Sequence, residues 1–98
     1  MTGSAGSGNN ELINPYGIAR DSSSGTLYIV DQSNHRVMRY LSGASSGTVV
    51  AGGNGQGTSN NQLFLPTGVY FDSTSNSLYI ANAGGNNIVK WVIGATSW

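Results

Sequence analysis

Asn14-Pro15-Tyr16-Gly17-Ile18-Ala19-Arg20-Asp21, followed by Leu27-Tyr28-Ile29, decides the reading of this chain. It returns as Leu65-Pro66-Thr67-Gly68-Val69-Tyr70-Phe71-Asp72, followed by Leu78-Tyr79-Ile80. The offset is 51 residues, from 14 to 65 and again from 27 to 78. A phrase repeated at that spacing marks one supersecondary unit that cannot bury its own faces and stacks on copies of itself. Two copies are too few to close a ring or cap a stack. What completes the structure is therefore a prior question to what it does.

Around the repeated phrase, the apolar residues fall in short β-branched and aromatic runs separated by turn residues, an all-β pattern. The runs predict strands at Gly17 to Arg20, Thr26 to Val30, Arg36 to Leu41 and Thr48 to Ala51 in the first copy. The second copy predicts Gly68 to Phe71, Ser77 to Ala81 and Ile88 to Ile93. Pro15 suits the start of a strand because it has no N–H to donate. Asp21-Ser22-Ser23-Ser24-Gly25 and Asp31-Gln32-Ser33-Asn34 are turn chemistry. The second copy ends at Trp98, the equivalent of Gly47, before its fourth strand. Most strands are apolar on both faces (Leu27 and Ile29 on one side, Tyr28 and Val30 on the other), which suits a sheet that is itself sandwiched. A seven-stranded β-sandwich is the runner-up, but it predicts one polar face per strand. The reading is two β-propeller blades of four-stranded antiparallel type.

Composition sets bounds on function. The 98 residues allow one domain, with four Lys+Arg against four Asp+Glu and a charged fraction of 8%. The basic residues Arg20, Arg36, Arg39 and Lys90 are scattered, so no stripe for nucleic acid is visible. There is no Cys, hence no disulfide or thiolate metal site. No segment reaches the ~18 apolar residues of a membrane span, and the chain reads as soluble, of unknown compartment. Residues 1–8 (MTGSAGSG) read as a flexible Gly/Ser leader. The first repeat with its connector then covers 9–59, and the second, short of its outermost strand, 60–98.

Asn14-Pro15-Tyr16-Gly17-Ile18-Ala19-Arg20-Asp21, Leu27-Tyr28-Ile29-Val30-Asp31 and Asn34-His35-Arg36-Val37 resemble the NHL repeat, whose usual pattern runs Pro-x-Gly-Ile-Ala-x-Asp, Leu-Tyr-Val-x-Asp, Asn-x-Arg-Ile. The second copy departs from it: Asn82 stands for Asp31, and Gly85-Asn86-Asn87 for Asn34-His35-Arg36. The resemblance implies a six-bladed propeller whose innermost strands, Gly17–Arg20 and Gly68–Phe71, line a central channel. Two repeats are a third of such a ring. Association of three chains into a homotrimer would complete it, and a homotetramer with eight blades is the alternative.

Candidate chemistry is sparse. His35 is the only His, and a metal site usually needs several protein ligands, so it reads as a hydrogen-bonded turn residue. Asp21 and Asp72 read as caps of the turn after the inner strand, and Asp21-x-Ser23 is a feeble calcium motif. Asp31 reads as a similar cap that can pair with Arg36, a pair worth little near a surface. Arg20 stands where the other copy has Phe71, and pairing with Asp21 or Asp72 is favoured over an anion site because an unpaired buried charge is costly. Gly52-Gly53-Asn54-Gly55-Gln56-Gly57 lacks the Lys-Ser/Thr ending of a phosphate loop and reads as a connector. Tyr40 and Trp91 occupy equivalent places and read as packing between repeats. Tyr16 and Thr67, which the resemblance places near the channel mouth, are ligand candidates with Arg20, Asn34, His35 and Asn86. The expected function is a non-enzymatic scaffold that assembles with itself, with no cofactor and no metal. The alternative is a module that binds a protein, peptide or glycan by its loop face.

Overall fold

The structure is a computed structural model and describes residues 3–98. Met1 and Thr2, part of the leader reading, lie outside the described residues. Seven strands form two antiparallel sheets. The first has the order β1 (Pro15–Arg20), β2 (Leu27–Asp31), β3 (Arg36–Tyr40), β4 (Thr48–Gly52). The second has the order β5 (Gly68–Asp72), β6 (Ser77–Asn82), β7 (Asn87–Val92). All seven expected strands are present, with ends shifted by one or two residues. Between β2 and β3, and again between β6 and β7, the turn is one turn of 3₁₀ helix, Gln32–Asn34 and Ala83–Gly85. Each ends on a residue in the left-handed region, His35 (φ 52°) and Asn86 (φ 58°). Backbone geometry is thus repeated where the side chain is not. Among the described residues no helix is long and apolar enough to cross a membrane.

The registers show how each strand's faces are used. Leu27 opposes Tyr40 and Ile29 opposes Met38, so these four share a face, called the front of the first sheet. Tyr28 and Val30, with Val37, point from the back. In the second sheet Leu78 opposes Trp91 and Ile80 opposes Val89, which makes its front the 51-residue equivalent of the first sheet's front. The main core joins Tyr28, Val30 and Val37 to Leu78, Ile80, Val89 and Trp91. The back of the first sheet therefore packs on the front of the second. Successive positions of β2 are buried on both faces (Tyr28, Ile29 and Val30), as a sandwiched sheet requires.

The innermost strands meet at Gly17. A Cβ there would sit 2.8 Å from the Thr67 carbonyl oxygen and 3.0 Å from Gly68 Cα. Only a residue without a side chain lets β1 and β5 approach this closely, which gives the Pro-x-Gly motif a physical reason.

Residues 3–8, read from composition as part of a flexible leader, are bonded into the first sheet. Ala5 bridges Leu12 in parallel, as Gln56 bridges Leu63 51 residues later. Segments 3–12 and 54–63 are the same loop. Their small residues supply accessible backbone carbonyls, which a reading for slack overlooks.

Candidate functional site

The loop 3–12 is held by a buried charged hub at the end of β2. Asp31 and Arg36 are paired, Nε to Oδ2 at 2.6 Å, with side chains 0% and 7% exposed. Asp31 Oδ1 accepts the Ile13 N–H at 2.7 Å, and Asn34 Nδ2 donates to Oδ2 at 2.8 Å. The guanidinium continues outward: Nη1 donates to the Ser7 carbonyl, and Nη2 to those of Gly8 and Glu11. The expected surface pair is thus a buried one, and its role is to fasten a loop. A buried pair holds only where its remaining hydrogen bonds are satisfied, and the loop carbonyls satisfy them. In the second sheet the same place holds a neutral pair. Asn82 Oδ1 accepts the Phe64 N–H at 2.7 Å, and its Nδ2 donates to Asn87 Oδ1 at 3.0 Å. The two departures from the repeat pattern therefore compensate each other.

Five of the candidate binding residues lie along one edge of the sheets, where β1 and β5 begin and β2 and β6 end. Tyr16 is 66% exposed and free to meet a ligand. Asn86 is exposed at its turn and Thr67 is half-buried. Asn34 is committed to Asp31 and to the Gly6 carbonyl. His35 Nδ1 accepts the Leu65 N–H at 3.0 Å, and its ring meets Phe64 edge-on at 6.1 Å. His35 is thus a clasp from the first sheet's turn to the segment leading into the second sheet. Among the described residues no three His, Asp or Glu side chains gather into a metal-binding group.

The structure separates Arg20 from these five. It ends β1 opposite Leu27, at the far edge of the sheet. The expected ion pair with Asp21 or Asp72 is not formed. Asp21 Oδ1 turns back to accept the Ser23 N–H and hydroxyl, and Asp72 accepts from the Thr74 N–H and the Ser75 hydroxyl. Capping its own turn satisfies each carboxylate locally. Hydrogen bonds to the charged form hold both carboxyls below the usual range, from the Ser23 hydroxyl foremost for Asp21 and the Ser75 hydroxyl foremost for Asp72.

Two outer surfaces remain. The back of the second sheet exposes Tyr70 (66%), Tyr79 (36%), Ile88 (74%) and Val92 (46%). Lys90 Nζ lies 5.9 Å from the Tyr79 ring centre. The front of the first sheet is half covered by the loop 3–12, with Leu12 packed against Ile29, Met38 and Tyr40. It leaves Ile18 and Arg20 exposed, together with a groove of about 320 Å³ lined in part by Leu12, Ile13, Asn14 and Pro15. Of the equivalents of those groove residues, Leu63 lies against Gly52 and Phe64 against the His35 ring, and the Leu65 N–H is bonded to His35.

No protein-family model matches the chain, and no curated protein matches it. The fold is found among solved structures. The chain is similar to an auxiliary nutrient binding protein from Bacteroides thetaiotaomicron, with a TM-score of 0.64 at 18% identity over 81% of this chain. The match spans 22% of that protein's length. The likeness is one of fold: two antiparallel sheets stacked as in part of a larger β structure, as the repeat implies.

The sequence pointed to His35 and Arg20 as places where the copies differ, but not to what each touches. For His35 the available signal was the difference itself. His35 changes between the repeats while its backbone does not, and the neighbour it answers to, Leu65, lies outside its own repeat.

Proposed function

We propose that this chain is a non-enzymatic segment of an NHL-type β-propeller that completes a ring by head-to-tail association with copies of itself, three copies giving six repeats. The observation that carries this reading is the front-to-back joint between the sheets. A heterologous joint of this kind leaves one unused front and one unused back, and it generates a ring or an open stack. The unused back is the apolar Tyr70, Tyr79, Ile88 and Val92 surface, and the unused front keeps the groove beside Leu12 and Ile13, whose equivalents meet Gly52 and His35 in the internal joint. Burying such surface contributes roughly 25 cal/mol per Å². Zero net charge offers little resistance to association.

No enzymatic role is proposed. His35 has one ring nitrogen occupied by the Leu65 N–H, and Tyr16, Thr67 and Asn86 supply no base. Sedimentation equilibrium across a range of concentrations tests the reading. A mass three times the 10.1 kDa chain supports it, a fourfold mass moves it to the eight-repeat ring, and a folded monomer at high concentration overturns it.

A second reading concerns the loop edge. Tyr16 stands exposed beside Thr67, with the Asn86 amide on the same edge, and an exposed aromatic next to uncharged hydrogen-bonding groups suits a peptide or glycan. Peptide and glycan arrays probed with the wild-type chain and with Tyr16→Ala test it. A hit lost in the variant supports the reading, and an array without hits removes it.

A further inference from the structure

Within the chain, Tyr28 on the back of the first sheet stacks on Phe71 from the front of the second, with ring centres 4.9 Å apart. The repeat places Tyr79 where Tyr28 stands and Arg20 where Phe71 stands. Tyr79 lies on the exposed back of the second sheet. Arg20 is exposed at the far end of β1, and its Nη2 reaches to 3.9 Å from where a Cβ on Gly25 would stand, beside Ser42. Ser42 is the equivalent of Ile93, which packs against the internal core. The Arg20 side chain thus lies on the front face, near the position that Ile93 holds in the second sheet.

We propose that the joint between two copies of this chain is made by the Arg20 guanidinium of one copy lying on the Tyr79 ring of the next, in the place that the Tyr28–Phe71 stack occupies inside the chain. The inference rests on the head-to-tail reading above and adds which residues form the contact between chains. A guanidinium is planar and weakly hydrated, and it lies flat on an aromatic face as a phenyl ring does. It can replace Phe71 in shape while staying tolerable in water when the joint is open. Among the described residues the ion pair formed is Arg36–Asp31, so no carboxylate holds Arg20 back. The Lys90 ammonium lies over the same ring, so two cations share that ring when Arg20 arrives. The joint between copies is therefore weaker than the joint within the chain, so the ring opens between chains before it opens between repeats.

The test is a double-mutant cycle on the dissociation constant of the assembly, read by sedimentation and accompanied by circular dichroism to show that each variant is folded. Both side chains are partly or fully exposed in the single chain, so their loss leaves the fold intact. Arg20→Ala and Tyr79→Ala are each expected to weaken association, with a coupling of about five- to thirtyfold. Arg20→Phe is expected to tighten association in the Tyr79 background and not in the Tyr79→Ala background. A ring that forms but shows additive effects of Arg20 and Tyr79 overturns this inference and leaves the assembly reading standing. A chain that stays monomeric overturns both.

Discussion

Tyr28 and Phe71 stack with their planes 18° from parallel, although they stand at different places in the repeated unit. Their counterparts, Tyr79 and Arg20, belong to opposite outer faces of the chain. The two sheets are thus related as successive members of a series and not as halves of a closed sandwich, whose two inner faces would be equivalent. The asymmetry is measurable. Tyr28→Ala removes an aromatic ring from the buried joint and is expected to lower unfolding stability by about 3–5 kcal/mol in urea titrations. Tyr79→Ala, measured at a concentration where the chain is monomeric, is expected to change it by no more than about 0.5 kcal/mol. Equal effects of the two would contradict the series relation.

The Asp31–Arg36 hub gives a second prediction. Arg36→Ala strands a fully buried carboxylate and is expected to cost about 3–5 kcal/mol. It also releases the Ser7, Gly8 and Glu11 carbonyls, so amide exchange in residues 5–13 should rise before exchange in β6 and β7. The double change Asp31→Asn with Arg36→Asn transplants the neutral pair found at Asn82 and Asn87. It is expected to recover a good part of the loss, because two amides satisfy each other without a buried charge. If the double variant is less stable than Arg36→Ala, the equivalence of the two hubs is wrong.

The strands were legible in the sequence because alternation and turn chemistry are local, and because each phrase was written twice. Pro15 and Gly17 marked the inner strand, and Tyr28 between Leu27 and Ile29 marked a sheet covered on both faces. The hub was only half legible. The Arg36–Asp31 pairing was foreseen, but its burial depends on the loop 3–12, whose Gly and Ser composition concealed that its carbonyls are ligands for a guanidinium. The fate of Arg20 was misread for a similar reason. A neighbouring Asp21 suggested a partner, but the carboxylate is satisfied within two residues by Ser23. Contacts made across the repeat boundary, such as His35 to Leu65, depend on how two sheets dock and have no local imprint beyond the difference between the copies.

Leu65 offers a stabilising change. It adopts φ 46°, in the left-handed region, and its equivalent is Asn14 at φ 51°. The left-handed conformation costs an ordinary L-residue roughly 1–2 kcal/mol, while Asn enters it more readily. Leu65 is 39% exposed, so little burial is lost on replacement. Leu65→Asn is expected to raise stability by about 0.5–1 kcal/mol, read as a higher midpoint in thermal unfolding. A lower midpoint would mean that the Leu65 side chain contributes more by packing than its backbone costs.

Acid should act on the two turns together. Asp21 and Asp72 have carboxyls held below the usual range for an aspartate, chiefly by the hydroxyls of Ser23 and Ser75. A depressed pKa in the folded state means that the folded chain binds fewer protons than the unfolded one. The stability these groups contribute is therefore fully present above the unfolded value and is lost as pH falls through the folded one. The unfolding midpoint is expected to be flat from neutral pH down to about 5 with respect to these groups, then to drop below about pH 4. In Asp21→Asn with Asp72→Asn, the amide oxygen still accepts the turn N–H but no longer titrates. That variant should lose part of the acid-dependent drop while keeping most of its stability at pH 7. A double variant whose pH profile parallels the wild type would show that the turn carboxylates are not what acid reaches first.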